Sequence, residues 1–381
     1  MTTASPDPFP QPGQDLSIVL VLHPHPLFHG ILRYLYIHTG YPVSSTVWQD
    51  FAVDNNKNFP ASGQDYPKTW SQFLEWFSTD EACLQYLEGL RWRDGFVCPQ
   101  CGVAGEPYRA SRSRLMCRAC RYQGTVTSGT IFDKTRTPLK VWLAAAWYVT
   151  NQKHGVSALG LQRVLGLGSY QTAWTMLHRF RRAMVRPGRE SLKGTVEVDE
   201  TFIAITDRKR PVAKVGRKNN TTKTLVAIAV ETLEPKGFGR IRLRRIPDNT
   251  EQYLLPFVTE TVEPGATVHT DGLSAYLALP KYGYLHKRTV MLGSEIPAHI
   301  SMPGVHRVAS LIKRWLLGTH HGAVQPEQLD AYLDEFAFRF NRRTSNSRGL
   351  LFYRLLEQAV MTKPATYEEI TKQPKSPVKP P

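Results

Sequence analysis

The segment VEVDETFI (196–203) decides the fold of the C-terminal half of the chain. Its β-branched residues favour a strand, and alternation of side chains places Asp199 on the face shared with Glu197, Thr201 and Ile203. A carboxylate inside such a strand is costly to bury without a partner. Asp199 is therefore the first candidate for a functional residue.

The residues after this strand alternate between strand-like and helical patterns. Further strands are predicted at 221–231, 240–246 and 266–270, with a helix at 251–262 before the last of them. Strands followed by a helix, another strand and then more helices indicate an α/β domain with a mixed sheet and flanking helices.

Two further segments supply candidate functional groups. The strand at 266–270 is followed by Asp271, and two aspartates on neighbouring strands could share divalent cations. Farther along, Val305, Val308, Ile312, Trp315 and Leu316 form an apolar helical stripe. His306 and Lys313, seven residues apart, project from nearly one side of that helix.

Four cysteines upstream have the spacing of a metal site. Cys98 and Cys101 form one CxxC pair, and Cys117 and Cys120 form a second pair after fifteen residues. Such pairs can close a tetrahedral four-thiolate site around zinc, which leaves no open position and makes the metal structural. Cys83, on an apolar helical face, is expected to be a core thiol.

The segment 156–185 predicts a helix, a turn at 166–169 and a second helix, the shape of a helix-turn-helix. Arg179, Arg181 and Arg182 on the second helix would contact DNA phosphates. A basic stretch containing Lys209 and Arg210 lies between the first two strands of the C-terminal domain and is a second candidate for backbone contact, although a surface loop explains it equally well.

The overall charge agrees with a polyanionic partner. The 381 residues include 48 Lys and Arg against 32 Asp and Glu, a formal net charge of +16. No apolar run approaches the roughly 20 residues of a membrane span, and the apolar run 16–22 lacks the preceding positive charge of a secretory signal. We expect a DNA-binding protein with no membrane partner, cytoplasmic and associated with the nucleoid.

Taken together, several segments resemble the insertion-sequence DDE transposases that carry an N-terminal zinc ribbon before a ribonuclease-H-like catalytic domain. The matching text is YLEGLRWRDGFVCPQCG (86–102), CRACRYQGTVTSGTIFDKTRTPL (117–139), VEVDETFI (196–203), VHTDGLSAY (268–276), HRVASLIKRWLLGTHHGAV (306–324) and YLDEFAFRFNRR (332–343). The resemblance covers about residues 66–355 in family order.

The resemblance implies a function and roles for single residues. The protein would bind the terminal inverted repeats of its element and catalyse metal-dependent phosphodiester hydrolysis and strand transfer into target DNA. Asp199, Asp271 and His306 would form the catalytic triad and hold Mg²⁺ or Mn²⁺ for two-metal phosphoryl transfer, and Lys313 would bind phosphate. Arg339, Arg342 and Arg343 could bind phosphates of the DNA backbone. Joining two ends implies a homo-oligomer, at least a dimer on DNA.

The third triad position departs from the family, because relatives often carry Glu or Asn where this chain has His306. Imidazole is a softer ligand than carboxylate, so the second metal would be held more weakly. Glu295, Glu327 and Glu335 compete for the role. Because of this departure, a second interpretation is a non-enzymatic DNA-binding regulator that uses the zinc ribbon and the helix-turn-helix. A third interpretation is a structure-selective nuclease or resolvase.

The predicted organisation has six parts. They are a poorly defined extension (1–65), a short helical lead-in (66–95), the zinc ribbon (96–135), the helix-turn-helix-like region (136–190), the ribonuclease-H-like catalytic domain (191–360) and a disordered tail (361–381).

Overall fold

A helical lead-in and a small three-stranded sheet open the part of the chain described by the computed structural model, which comprises residues 59–206, 221–290 and 298–371. The lead-in consists of α1 (Trp70–Trp76) and α2 (Asp80–Arg91). The sheet is antiparallel in the order β1 (Tyr108–Ala110), β2 (Arg114–Met116), β3 (Gln123–Gly124). It lies between and just after the two CxxC pairs, as a zinc ribbon requires.

Three helices follow the ribbon: α3 (Leu139–Asn151), α4 (Ala158–Leu165) and α5 (Tyr170–Ala183). The turn between α4 and α5 begins at Gly166, whose φ of 62° is the left-handed conformation that ends many helices. It ends at Ser169, whose hydroxyl accepts from the Thr172 backbone N–H as an N-cap. The predicted helix, turn and second helix are therefore present at the predicted positions.

The C-terminal domain is built on a five-stranded mixed sheet. Its strands are β4 (Thr195–Thr206), β5 (Thr221–Thr232), β6 (Phe238–Ile246), β7 (Thr267–Thr270) and β8 (Leu285–Arg288), in the spatial order β6-β5-β4-β7-β8. The pairs β4–β5 and β5–β6 are antiparallel, whereas β4–β7 and β7–β8 are parallel. β8 was not predicted because its four residues are mostly polar and form an edge strand with no apolar alternation.

Helices cover both faces of this sheet. On one face, α6 (Glu251–Thr261) packs against Val196 and Val198 of β4. On the other face, α8 (Pro303–His320) and α9 (Leu329–Phe340) pack against Ile203 and Ile205. A short α7 (Ala298–Ser301) precedes α8. Because side chains alternate along β4, the odd-numbered Glu197 and Asp199 share the face that α8 covers.

The last long helix, α10 (Arg348–Ala359), departs from the predicted domain boundary at residue 360. Its Phe352, Leu355 and Leu356 are fully buried in the same core as α3 and α5, and not against the sheet. Large apolar side chains at i, i+3 and i+4 are typical of a helix, but this pattern does not indicate which core the helix packs into. The helical region is therefore completed by the C-terminal end of the chain.

The expected disordered tail is partly ordered. Ala365 is buried, its carbonyl accepts from Arg179 Nε at 2.9 Å, and α11 (Tyr367–Thr371) follows. The rest of the tail and residues 1–58 of the predicted extension lie outside the described residues. None of the helices in the described ranges combines the length and apolarity needed to cross a membrane.

Candidate active site and metal centres

Asp199 and Asp271 are placed side by side by the parallel pairing of β4 and β7. Glu197 pairs with His269 at the end of this ladder. Asp199 lies two residues after Glu197, and Asp271 lies two residues after His269. One oxygen of each carboxylate is held locally, since Asp199 Oδ1 accepts from the Glu200 N–H at 2.8 Å and Asp271 Oδ1 accepts from the Leu273 N–H at 3.0 Å. Both aspartates thus lie just past the end of the β4–β7 ladder, on the face covered by α8.

The electrostatic environment of Asp199 disfavours its charge. Burial is the main cause that raises its pKa to about 7, and the nearby carboxylates of Glu200, Asp271 and Glu197 add to the effect. The hydrogen bond from the Glu200 N–H opposes the shift. A divalent cation would relieve this concentration of negative charge, and carboxylate oxygens are the donors that Mg²⁺ and Mn²⁺ prefer.

Sequence reasoning missed two groups beside the aspartates. Tyr276 is fully buried and its hydroxyl donates to Glu200 Oε2 at 2.9 Å, while Asn249 Nδ2 lies 3.5 Å from Glu200 Oε1. Burial, followed by the neighbouring carboxylates, raises the pKa of Tyr276 well above its ordinary value, so its hydroxyl keeps the proton it donates. The segment VHTDGLSAY contained Tyr276, but strand alternation alone assigned Glu200 to the opposite face from Asp199.

The helix α8 carries the remaining triad candidates. Val305, Val308, Ile312 and Leu316 are buried against the sheet, which confirms the predicted stripe. His306 is half-buried in the first turn, and Lys313 is exposed two turns later. Among the described residues, only the four cysteines form a group of three or more ligands within 4.8 Å of one another. Asp199, Asp271 and His306 therefore do not form a closed ligand set.

The competing acids differ in their surroundings. Glu335 is buried, and its carboxylate is bound by Arg181 at 2.8 Å and by Arg339 at 2.7 Å. Both oxygens of the Glu335 carboxylate therefore take part in an ion-pair network with two guanidinium groups. Glu327 lies in a short 3-10 turn at Pro326–Gln328, and Glu295 is outside the described residues.

The four cysteines converge as their spacing predicted. Cys98 Sγ lies 3.6 Å from Cys120 Sγ, and Cys101 Sγ lies 3.7 Å from Cys117 Sγ. A tetrahedral zinc ion with Zn–S bonds near 2.3 Å needs sulfur atoms about 3.8 Å apart, so the donor set fits zinc. All four cysteines are free of disulfides, and Cys83 is buried in the helical core as expected.

Family models of known proteins match two segments of the chain. Residues 191–341 match the family model of the ISXO2-like transposase domain, and residues 78–123 match that of the transposase zinc-ribbon domain. The chain therefore carries a transposase domain and, ahead of it, a transposase zinc-ribbon domain. The transposase domain match begins at the predicted boundary, residue 191, but ends before α10, in agreement with the packing of that helix in the other core.

A curated relative supports the same assignment. The chain is 25% identical over 280 residues to an uncharacterized protein in transposable element ISH50 of Halobacterium salinarum, a match that covers 70% of this chain and 92% of the relative.

The three arginines predicted to contact DNA from α5 have different environments. Arg181 is 1% exposed and its guanidinium stacks 3.9 Å from the centroid of the Tyr332 ring, so it cannot reach DNA phosphate. Arg179 is half-buried and bonds the carbonyls of Ile131 and Ala365. Arg182 alone of the three is exposed. The prediction of DNA contact was therefore wrong for Arg181, because helical periodicity turns it toward α9.

The C-terminal arginines also bind the protein itself. Arg339 donates to the carbonyls of Val149 and Gln152 at the end of α3 and to Glu335. Arg342 stacks on Phe338, and Arg343 stacks on Phe340 and donates to the Phe238 carbonyl. These bonds join α9 to its neighbours. Lys209 and Arg210 of the predicted basic stretch lie outside the described residues.

Proposed function

We propose that the chain is an active transposase that binds the terminal inverted repeats of its element, hydrolyses a phosphodiester bond and joins the freed end to target DNA. The observation that carries the proposal is the placement of Asp271, directly after β7, next to Asp199 of the parallel strand β4, inside a domain that matches the ISXO2-like family. The mixed sheet with helices on both faces supports a ribonuclease-H-like assignment for this domain.

The side chains have distinct proposed roles. Asp199, with the charge of neighbouring carboxylates around it, would hold two Mg²⁺ or Mn²⁺ ions together with Asp271 and His306. When bound, such ions activate an attacking oxygen and stabilise a leaving oxygen. Lys313, exposed on the same helix as His306, would bind a phosphate of the DNA.

The other partners follow from the substrate. Exposed Arg182 and the turn that precedes α5 would contact the double-stranded element ends, and zinc bound by the four cysteines would stabilise the ribbon. Synapsis of two ends requires at least two copies of the chain on DNA. The protein would act in the cytoplasm on nucleoid DNA.

The test is cleavage of a plasmid that carries the native flanks of the gene. Wild type is expected to nick at the flank boundaries in Mg²⁺ and Mn²⁺ but not in EDTA. Asp199→Asn should abolish nicking while leaving flank binding intact. Glu251→Gln, at an exposed position of α6, is the matched control and should cleave like wild type. Loss of binding together with cleavage in Asp199→Asn would contradict the assignment.

One observation favours a second candidate, a non-enzymatic DNA-binding regulator derived from a transposase. His306 stands where the resemblance implies Glu or Asn, and the three proposed ligands do not form a closed set. A regulator predicts tight binding to the flanks without cleavage in any divalent metal.

A further inference from the structure

Glu197 is a buried carboxylate, 3% exposed, two residues before Asp199 on the same face of β4. Its Oε2 accepts from the backbone N–H of Val305 at 3.0 Å, and the Gly304 N–H is a second donor to the carboxylate. Both amides belong to the first turn of α8. A side chain of the central strand therefore binds the beginning of the helix that carries His306.

This contact replaces a cap that α8 lacks in its own sequence. The N-cap position is Met302, whose side chain makes no capping hydrogen bond, and Pro303 follows it. The second and third N–H groups of a helix have no intrahelical acceptor and are normally satisfied by a Ser, Thr, Asp or Asn at the N-cap. Glu197 satisfies them from another element, and its negative charge suits the positive end of the helix dipole.

Close packing at Gly304 fixes the distance between strand and helix. A Cβ at this position would lie 2.9 Å from Glu197 Oε2 and 3.1 Å from Cε1 of Phe238. Any larger residue would displace the Glu197 carboxylate from the helix amides or move α8 away from β4. The absence of a side chain at Gly304 is thus what lets the backbone approach the carboxylate.

The geometry links this contact to the proposed metal ligands. His306 directly follows Val305, whose amide is bound, while Asp199 lies one strand repeat, about 7 Å, from Glu197. The separation of Asp199 and His306 is consequently set through Glu197. The Glu197 carboxylate is an unsuitable metal ligand itself, because its Oε2 is occupied by the helix amides.

We propose that Glu197 is a positioning residue that fixes α8 on β4 and so holds His306 at the correct distance from Asp199 and Asp271. The proposal rests on the proposed metal-dependent cleavage. It predicts that loosening this contact weakens metal use while leaving DNA binding unchanged.

The test compares Glu197→Ala, Glu197→Gln and Gly304→Ala with Glu231→Ala. Glu231 is the matched control because it is also a buried strand carboxylate that binds backbone N–H groups, those of Lys193 and Arg240, on the neighbouring strand and away from α8. Three quantities are measured: hydrogen exchange of the 303–306 amides in EDTA, the Mn²⁺ concentration for half-maximal single-turnover cleavage of the flanked plasmid, and flank binding by fluorescence anisotropy.

Glu197→Ala is expected to lose amide protection at 304–305 and to need at least tenfold more Mn²⁺, with flank binding within twofold of wild type. Glu197→Gln retains an oxygen acceptor and should stay within about threefold of wild type. Gly304→Ala should show the same loss of amide protection and the same increased Mn²⁺ requirement as Glu197→Ala. It replaces Glu197→Ala in the comparison if that variant does not fold. Glu231→Ala should lower Tm without changing the Mn²⁺ requirement.

An unchanged Mn²⁺ requirement in both Glu197→Ala and Gly304→Ala would overturn the positioning role and reduce Glu197 to a helix cap. Equal losses in the Gln and Ala variants would overturn it as well, since the amide oxygen can still accept both bonds. Failure of wild type to cleave in any metal would instead overturn the proposed function and the positioning role with it. The amide exchange would still show whether Glu197 caps α8.

Discussion

Arg181 Nε donates a hydrogen bond to Glu335 Oε2 at 2.8 Å, and both side chains are 2% exposed. The pair joins α5 of the helical region to α9 of the transposase domain. Arg339 completes the network at 2.7 Å from the other carboxylate oxygen. Burial alone would raise the pKa of Glu335, but Arg339 and Arg181 outweigh it and lower the pKa to about 2.

Removing the charge of Glu335 should therefore destabilise the protein strongly. We expect Glu335→Gln to lower the free energy of unfolding by about 3 kcal/mol, because it leaves buried guanidinium charge without its counterion. A carboxylate with a lowered pKa stabilises the fold above its ordinary pKa of 4.5, and this contribution is lost as pH falls toward about 2. The difference from wild type should be constant between pH 5 and 8 and shrink below pH 4.

Urea unfolding at several pH values measures this difference. Asp330→Asn is the control, because its ion pair with Arg245 at 3.3 Å is partly exposed and should contribute less than about 1 kcal/mol. A Glu335→Gln effect as small as that of Asp330→Asn would contradict the stabilising role of the buried network.

The exposed and buried arginines of α5 should behave in opposite ways. Arg182→Ala is expected to weaken flank binding several-fold and to reduce the slope of log affinity against log salt by about 1, with little change in Tm, because it removes one phosphate contact. Arg181→Ala should instead lower Tm sharply. Fluorescence anisotropy at several salt concentrations, together with thermal unfolding, separates the two effects. An unaltered salt slope in Arg182→Ala would remove this residue from the DNA surface.

The ribbon should hold one zinc ion per chain. Cys117→Ser should lose this zinc ion because it removes one of the four converging thiolates. Cys83→Ala changes a buried core residue and should retain the zinc ion. Elemental analysis of the purified proteins gives the zinc content. Full zinc content in Cys117→Ser would place the metal elsewhere.

His306 offers a gain-of-function experiment. His306→Glu restores a hard oxygen donor, so we expect faster cleavage in Mg²⁺ and a smaller advantage of Mn²⁺ over Mg²⁺. The ratio of cleavage rates in the two metals is the measurement. Leu317→Glu, at a 68% exposed position in the last turns of the same helix, is the control for added negative charge. An unchanged ratio in His306→Glu would exclude this residue from the metal site.

The raised pKa of Asp199 makes a prediction about stability in the absence of divalent cations. A carboxyl whose pKa rises from 3.8 to about 7 on folding stabilises the fold in its protonated form, and this contribution is lost as pH rises through about 7. Asp199→Asn mimics the neutral form. Its Tm should match that of wild type only near pH 4, where the unfolded chain is also largely protonated, and exceed it by a few degrees at pH 8.5 in EDTA. A Tm advantage of equal size at both pH values would rule out ionisation of Asp199 as its cause.

Local patterns in the sequence predicted much of this structure, because each is decided within one element. The alternation around Asp199, the apolar stripe of α8 and the CxxC spacing all describe a strand, a helix or a turn by itself. The burial of Arg181 could not be predicted in this way, since it depends on Glu335, 154 residues away. The role of Glu197 was hidden for the same reason, as its partners lie on α8.

The packing of α10 has a consequence for how the protein is made. Phe352, Leu355 and Leu356 complete a core whose other members begin at Tyr66, so the helical region before the sheet lacks part of its interior until the ribosome has passed residue 356. If synthesis stops before α10 is made, α3, α4 and α5 are left without a complete core. Truncated chains would unfold or be degraded, and they would not accumulate as competitors of the complete protein.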